Sequence, residues 1–140
     1  MKKRLVFTLA TCCILAVLAG CGSIKVSVPD HPARVIVSPY GSAETTFEYT
    51  EPEKVDAVAE YMRSLDLRKT NKTASEYDGI AYIITIVSTD GSSVSYTHFG
   101  NMFFRTGEGD WYALEYNQAV GLEELLYRLT PDIPAENPLF

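Results

Sequence analysis

Cysteine and histidine are scarce in this chain, which has three cysteines and two histidines among 140 residues. The cysteines are Cys12, Cys13 and Cys21, so the chain after Cys21 contains no thiol. This excludes a disulfide, a cysteine nucleophile and a thiolate metal site within that part. The histidines, His31 and His98, form no HExxH pair, and a catalytic zinc usually has three protein ligands. We therefore expect no metal and no other cofactor.

The sequence also lacks the motifs of common enzyme classes. There is no GxSxG elbow for a serine nucleophile, and the serines near His98 belong to the same strand pattern as the histidine. Gly107-Glu108-Gly109 is not followed by a helical pattern, so it indicates a hairpin turn and no phosphate-binding loop. We expect His98 to be structural or pH-sensitive.

The N-terminal segment has the pattern of an export signal. Three basic residues, 2–4, precede an apolar or small-residue run from 5 to 20. That run is shorter than the roughly twenty apolar residues that cross a bilayer. It ends in Leu18-Ala19-Gly20-Cys21, which resembles the lipobox of bacterial lipoproteins. The resemblance implies cleavage before Cys21 and attachment of a diacylglycerol to the Cys21 thiol. The alternative is an uncleaved signal anchor.

Both alternatives give the same topology. The N-terminal positive charges stay in the cytoplasm, so the chain after Cys21 lies on the extracytoplasmic face of the cell membrane. Two acyl chains anchor a protein durably, whereas one chain binds only marginally. The resemblance adds a conditional prediction, since Asp after the lipidated cysteine marks inner-membrane retention in two-membrane bacteria. Gly22 therefore implies delivery to the outer membrane if the host has one.

Basic charge is also in short supply once the signal is removed. The first twenty residues hold three of the twelve Lys and Arg residues and none of the eighteen Asp and Glu residues, which leaves a mature net charge of −9. Such a surface is repelled by phosphate backbones and anionic headgroups, so we expect no nucleic-acid partner. A cationic partner is compatible with this negative charge. The 120 residues that follow the signal fit one domain that needs no disulfides.

The mature chain divides into a lipidated tether, 21–33, a single domain, 34–130, and a proline-rich tail, 131–140. The domain begins with a predicted hairpin of two strands, 35–37 and 45–49, joined through a turn at Gly41-Ser42.

A helix is predicted next. Thr50 and Glu53 have the spacing of a capping box, and Pro52 falls in the first turn. Apolar residues recur at helical spacing up to the predicted end near 66–68. These residues are Val55, Val58, Met62 and Leu65. The opposite face carries Glu53, Asp56 and Glu60, which is typical of a solvated face; a cation or a basic partner is the alternative.

The second half of the domain has the pattern of an antiparallel meander ending in a helix. The strand 80–89 is apolar on both faces, which predicts a central position. Asp90-Gly91 predicts a two-residue turn into the strand 93–99, and strands 102–105 and 111–116 follow. Asn117 is the predicted cap of the last helix, whose apolar stripe is Leu122, Leu125, Leu126 and Leu129.

The order ββ-α-ββββ-α predicts an α+β fold, with a curved antiparallel sheet and two helices packed on one face. The uncovered face is then the natural contact surface. Strand alternation puts Trp111 and Tyr112 on opposite faces of the sheet, so at most one of them belongs to the uncovered face. The candidate contact residues are Tyr96, His98, Trp111 and Tyr116.

The order of these elements resembles small lipoproteins of uncharacterised function from Gram-positive bacteria. The resemblance rests on the helix containing Tyr61-Met62-Arg63-Ser64-Leu65, the turns at Asp90-Gly91 and Gly100-Asn101, the tryptophan strand and the leucine-rich last helix. It implies no catalytic residues.

Two functional hypotheses follow. The favoured one is a non-enzymatic module, anchored to the membrane by lipid, that binds an envelope protein or polymer through the uncovered sheet face. A purely structural role in envelope assembly is not separable from it by sequence. The alternative is a small hydrolase that uses His98 or a carboxylate pair. The candidate pairs are Glu108 with Asp110, on a turn, and Glu123 with Glu124, at a helix start where acidic residues complement the dipole.

Overall fold

The computed structural model describes residues 22–39 and 46–130. The predicted export signal, Cys21, the Gly41-Ser42 turn and the proline-rich tail lie outside these ranges.

Eight strands, two α-helices and one short 3-10 helix make up the described chain. The strands are β1 (Ile24–Lys25), β2 (Pro32–Pro39), β3 (Phe47–Tyr49), β4 (Asp66–Lys69), β5 (Ala81–Ser88), β6 (Ser93–Phe99), β7 (Phe103–Thr106) and β8 (Tyr112–Leu114). The helices are α1 (Pro52–Ser64) and α2 (Tyr116–Leu129), and the 3-10 helix is Ala74–Glu76.

All eight strands belong to one antiparallel sheet in the order β1-β4-β8-β7-β6-β5-β2-β3. Both helices share one apolar core with alternate strand residues, so they cover a single face of the sheet. The predicted α+β class, the β5–β8 meander and the central position of β5 are confirmed. The strands β1 and β4 were not predicted, and they extend the sheet by two strands at one edge.

The buried side of the sheet follows the strand alternation. The core strand residues that face the helices include Val35, Val37, Tyr82, Ile84, Ile86, Tyr96 and Phe104. Their neighbours along each strand point to the opposite side, which we call the open face.

The hairpin between β5 and β6 differs from the predicted two-residue turn. The Ser88 amide donates to the Ser92 carbonyl at 2.8 Å, which leaves a three-residue loop, and Gly91 has a φ of 84°. A three-residue loop with positive φ at its last position is the usual alternative to the two-residue turn. Asp90 Oδ1 accepts from the amide and the hydroxyl of Ser92, at 2.9 and 2.6 Å, and so fixes this longer loop.

Helix α1 begins one residue later than the capping box predicted. Glu51 is the N-cap residue, and its carbonyl accepts from the amides of Lys54 and Val55 at 3.0 Å. Pro52 explains the shift, because proline is preferred at the first helical position and the cap is then the residue before it. The predicted apolar stripe is confirmed, since Val55, Val58, Met62 and Leu65 are all buried.

Helix α2 also starts earlier than predicted. Glu115 occupies its N-cap position, and Asn117 lies inside the first turn. The leucine stripe is confirmed for its first three members, and Leu129 packs at the margin of the core.

The predicted tether is wrong for most of its length. Strand β1 pairs with β4, Val26 is buried, and the Tyr96 hydroxyl donates to the Ser27 carbonyl at 2.6 Å. The Ser88 hydroxyl likewise donates to the Asp30 carbonyl at 2.6 Å. The domain therefore begins at β1. The segment has few large apolar residues, but its isoleucine and valines alternate at 24, 26 and 28, which is a strand signal.

Candidate functional site

The four candidate contact residues do not form one surface. Tyr96 and His98 are 0% and 1% exposed and face the helices, which corrects their assignment to the contact surface. Tyr116 is exposed at the start of α2. Trp111 is half-buried on the open face, and it is the only one of the four that lines a cleft there. Tyr96 and His98 are buried because even-numbered residues of β6 point into the core, whereas odd-numbered ones point away from it.

His98 lies in an apolar environment. Its ring centroid is 4.8 Å from that of Tyr82, and no described residue accepts from or donates to either ring nitrogen. Burial lowers the His98 pKa from 6.5 to about 4, because the charged imidazolium loses its hydration. Ser93 and Ser95 lie on the other side of β6 by alternation, and Ser95 Oγ is hydrogen-bonded to Thr85 Oγ1 at 2.8 Å. The described chain thus offers His98 no serine partner.

The two carboxylate pairs occupy ordinary surroundings. Glu108 and Asp110 lie in the exposed turn between β7 and β8. Glu123 accepts a hydrogen bond from Asn101 Nδ2 at 3.2 Å, and its partial burial raises its pKa. Its neighbour Glu124 is exposed. Within residues 22–39 and 46–130 no group of three or more His, Cys, Asp or Glu residues is placed to hold a metal ion.

The connection between β4 and β5 covers part of the open face. Ala74, in its 3-10 helix, is buried, and the Tyr77 ring centroid lies 5.2 Å from that of Phe103. Consecutive residues Phe103 and Phe104 are both buried although they point to opposite faces. The sheet is therefore covered on both sides at β7, by the helices on one side and by this connection on the other.

An aromatic cluster lies beneath the connection. Phe99 pairs with Phe103 across β6 and β7, and their ring centroids are 6.5 Å apart. The Trp111 ring approaches both of them edge-on, at 6.4 and 6.3 Å. Edge-to-face packing of this kind fixes the orientation of the rings.

Arg105 is the charged member of this cluster. Its guanidinium carbon lies 4.7 Å from the Trp111 ring centroid, within the range of a cation–π contact. The side chain is only 16% exposed, and its nearest carboxylate, on Glu108, is 3.6 Å away and 94% exposed. An ion pair with so solvated a carboxylate is weak. No described acceptor reaches the buried Arg105 Nε.

Two adjoining hollows meet at Arg105 and Trp111, and we call them together the cleft. The first, about 480 Å³, has mainly apolar walls that include Tyr77, Gly79 and Phe99. The second, about 510 Å³, has polar walls that include Lys69, Asn71 and Lys72. The cleft thus presents aromatic surfaces, a stacked guanidinium and a polar extension, and this arrangement suits binding of an extended ligand.

Sequence reasoning missed Tyr77, Phe99 and Arg105. A signal was available, because Phe99, Phe103 and Arg105 are odd-numbered residues of a hairpin whose even-numbered positions form the core. The packing of the connection 70–80 over these residues could not be predicted, since the connection has no strong periodic pattern.

No helix within the described part of the chain is both long and apolar enough to cross a membrane. Comparisons of this chain with models of protein families, with curated proteins and with solved structures found no match.

Proposed function

We propose that the protein is a lipid-anchored, extracytoplasmic binding module of the bacterial cell envelope, and that the cleft is its binding site. The anchor is the lipid on Cys21, after removal of residues 1–20 as a signal peptide. The partner is an envelope protein or polymer, and binding involves no chemical conversion.

One observation carries the assignment of the site, which is the position of Arg105. A guanidinium that is mostly withdrawn from water keeps its charge at every physiological pH, and its loss of hydration is costly unless an anion or acceptor compensates. The only described carboxylate that pairs with Arg105 is that of Glu108, which is solvent-exposed and 3.6 Å away. An incoming ligand with an acceptor group supplies the missing partner.

The hydrolase alternative draws no support from this geometry. His98 lies in the core on the opposite side of the sheet from the cleft, and its lowered pKa keeps it neutral at neutral pH. The Glu108 and Asp110 carboxylates lie at the rim on a solvated turn. A binding role accounts for the aromatic walls and the guanidinium of the cleft without a catalytic group.

The proposal is tested by crosslinking the tagged, lipid-anchored protein in its own host and identifying the envelope components captured with it. Arg105→Gln removes the guanidinium charge that lies against Trp111. Arg34→Gln is the matched control, because Arg34 lies in β2, three strands away from β7 and about 14 Å across the sheet. Cys21→Ser removes the anchor.

We expect a component that is captured by the wild type and by Arg34→Gln, and that is lost with Arg105→Gln and with Cys21→Ser. Equal capture by Arg105→Gln and the wild type would show that the cleft is not the binding site. Unchanged membrane fractionation of Cys21→Ser would instead reject the lipid anchor and favour the uncleaved signal segment.

A further inference from the structure

We infer that the cleft binds a sugar ring that carries a carboxylate, as part of an envelope glycan in which acidic groups are sparse. This inference deepens the proposed function and rests on it. It assigns the carboxylate to Arg105, the apolar face of the ring to the aromatic hollow, and the neighbouring hydroxyl groups to the polar hollow.

The aromatic hollow favours a ring-shaped ligand. Phe99 and Trp111 meet edge-on and Tyr77 closes the hollow from the connection above, so flat apolar surfaces stand at an angle to one another. A sugar ring has an apolar face of C–H groups and a rim of hydroxyl groups. Its face can pack on such a surface while its rim stays hydrated or hydrogen-bonded.

Arg105 selects for a carboxylate. The guanidinium is a planar fork that matches the two oxygens of a carboxylate, and charge-assisted bonds of this kind are about twice as strong as neutral ones. The stacking of Arg105 on Trp111 holds the fork in place before the ligand arrives, which reduces the entropy lost on binding. Glu108, the described carboxylate that pairs with Arg105, is a weak competitor because it is 3.6 Å away and 94% exposed.

The polar hollow extends the site along a chain of sugar units. Thr70, Asn71 and Thr73 supply hydroxyl and amide groups in its walls. The Lys72 ammonium lies 5.9 Å from the Tyr77 ring centroid, at the side of the cleft formed by the connection. These groups can form hydrogen bonds with the hydroxyl groups of a second sugar unit beside the acidic one.

The charge of the whole molecule limits how acidic the ligand can be. The mature chain has a net charge of −9, which disfavours a polymer with a phosphate on every unit. A glycan with one carboxylate on every second sugar meets the single buried guanidinium without a large long-range repulsion, because charges beyond about 8 Å are screened at physiological salt.

The position of the cleft relative to the proposed anchor favours a ligand near the membrane. Ile24 pairs with Leu67, and the strands are antiparallel, so the chain that precedes Ile24 runs towards Lys69, which lines the polar hollow. Only Gly22 and Ser23 separate Cys21 from β1, a span of about 10 Å at most. A lipid on Cys21 therefore holds this edge of the sheet close to the bilayer, where envelope glycans are assembled or attached.

The test uses the lipidated protein purified in a neutral detergent, with fluorescence of Trp111, the only tryptophan in the chain, as the reporter. The probes are the disaccharide of N-acetylglucosamine and N-acetylmuramic acid, the same disaccharide with its carboxylate converted to an amide, and acetate alone. We expect the free acid to bind about tenfold tighter than the amide, with acetate much weaker than either.

Arg105→Gln should abolish the preference for the free acid, whereas Arg34→Gln should preserve it. If Arg105→Gln fails to fold, Arg105→Lys decides the question, because it keeps the charge and loses the planar fork, and the preference should fall several-fold. Equal affinity for acid and amide, or a preference that survives in both Arg105 variants, would overturn the inference.

The outcome also separates this inference from the proposed function. An Arg105-dependent capture of a protein in the host, together with no response to any sugar probe, would overturn the glycan ligand and leave the binding module standing. If neither an Arg105-dependent capture in the host nor a response to the sugar probes is observed, the cleft is rejected as a binding site.

Discussion

A buried histidine without a hydrogen-bond partner in the described chain makes the stability of the protein depend on pH. His98 packs against Tyr82, and its environment cannot solvate the charged ring. The unfolded chain binds a proton near pH 6.5, whereas the folded chain does so only near pH 4. The contribution of His98 to stability is therefore complete above pH 6.5, falls as the pH drops from 6.5 to 4, and is constant below that range.

We predict that replacing His98 by Phe flattens the acid side of the stability profile. The pKa difference corresponds to about 3 kcal/mol of unfolding free energy that the wild type loses between pH 7 and 4. Over the same pH range His98→Phe should lose about 3 kcal/mol less unfolding free energy than the wild type. At pH 7 it should be at least as stable as the wild type, because a buried donor that has no described acceptor is removed. Urea unfolding followed by circular dichroism at pH 7 and pH 4 measures both effects.

The matched control is the other histidine. His31 is exposed and has a φ of 52°, a conformation that asparagine tolerates. His31→Asn should keep the wild-type pH dependence of stability. An identical pH dependence in His98→Phe and the wild type would show that the acid sensitivity has another origin.

At the level of elements, the two helices meet where a glycine makes room for a tyrosine. A Cβ placed on Gly121 would lie well inside van der Waals contact with the Tyr61 hydroxyl, which donates to the Gln118 carbonyl at 2.9 Å. Glycine is unfavourable in a helix interior, and alanine would gain about 1 kcal/mol from helix propensity alone. The contact explains why α2 has a glycine in this turn.

We predict that Gly121→Ala lowers stability by about 1 kcal/mol despite the better propensity. The alanine displaces Tyr61, and the cost of overpacking, about 1–3 kcal/mol, together with the lost hydrogen bond exceeds the gain. In the Tyr61→Phe background the closest atom is absent, so the same substitution should be neutral or stabilising. A double-mutant cycle from urea unfolding measures this coupling, and additive effects of the two changes would contradict it.

The elements that the sequence predicted well are those with a strong repeating pattern. The buried stripe of α1 and the alternation in β5 need only local spacing to be recognised. The strands β1 and β4 are two and four residues long, and their pairing depends on each other, so neither carries a complete signal alone. The caps were shifted by one residue in α1 and by two in α2, because several neighbouring residues can serve as the cap and local spacing does not choose between them.

At the scale of the whole molecule, the N-terminal segment belongs to the folded domain. Val26 is in the core, and backbone carbonyls at Ser27 and Asp30 accept from Tyr96 and Ser88. A tether that lifts the domain away from the membrane would not make such contacts. The segment that follows Cys21 is thereby held close to the sheet.

We predict that removal of residues 22–31 destabilises the domain by about 2–4 kcal/mol. The loss includes the burial of Val26, about 1.5 kcal/mol, and two hydrogen bonds of about 1 kcal/mol each, partly offset by the chain entropy released. Chemical unfolding of a chain that starts at Pro32 is compared with one that starts at Gly22. Removal of Gly22 and Ser23 alone, which are both exposed, is the control and should change little. Equal stability of the two chains would restore the tether interpretation.

The candidate site illustrates how far the sequence leads at this scale. Trp111 was selected from its residue type, and it lies in the walls of the cleft. Tyr96 and His98 were selected on the same argument and are in the core, because the sequence indicates two faces of β6 without indicating which face the helices cover. Arg105 shares the alternation of Phe99 and Phe103, but the sequence does not indicate that the connection 70–80 lies over these residues.

The sequence by itself determined the class of the fold, the central strand, both apolar helix stripes and the net negative charge of the mature chain, because each is a property of local pattern or composition. It also carries the pattern that predicts export and lipidation at Cys21. The tertiary structure alone decided which sheet face is covered, that the N-terminal segment joins the sheet, and that Arg105 and Trp111 stack beneath the connection 70–80. Those features depend on contacts between residues distant in the chain, and short-range spacing does not encode such contacts.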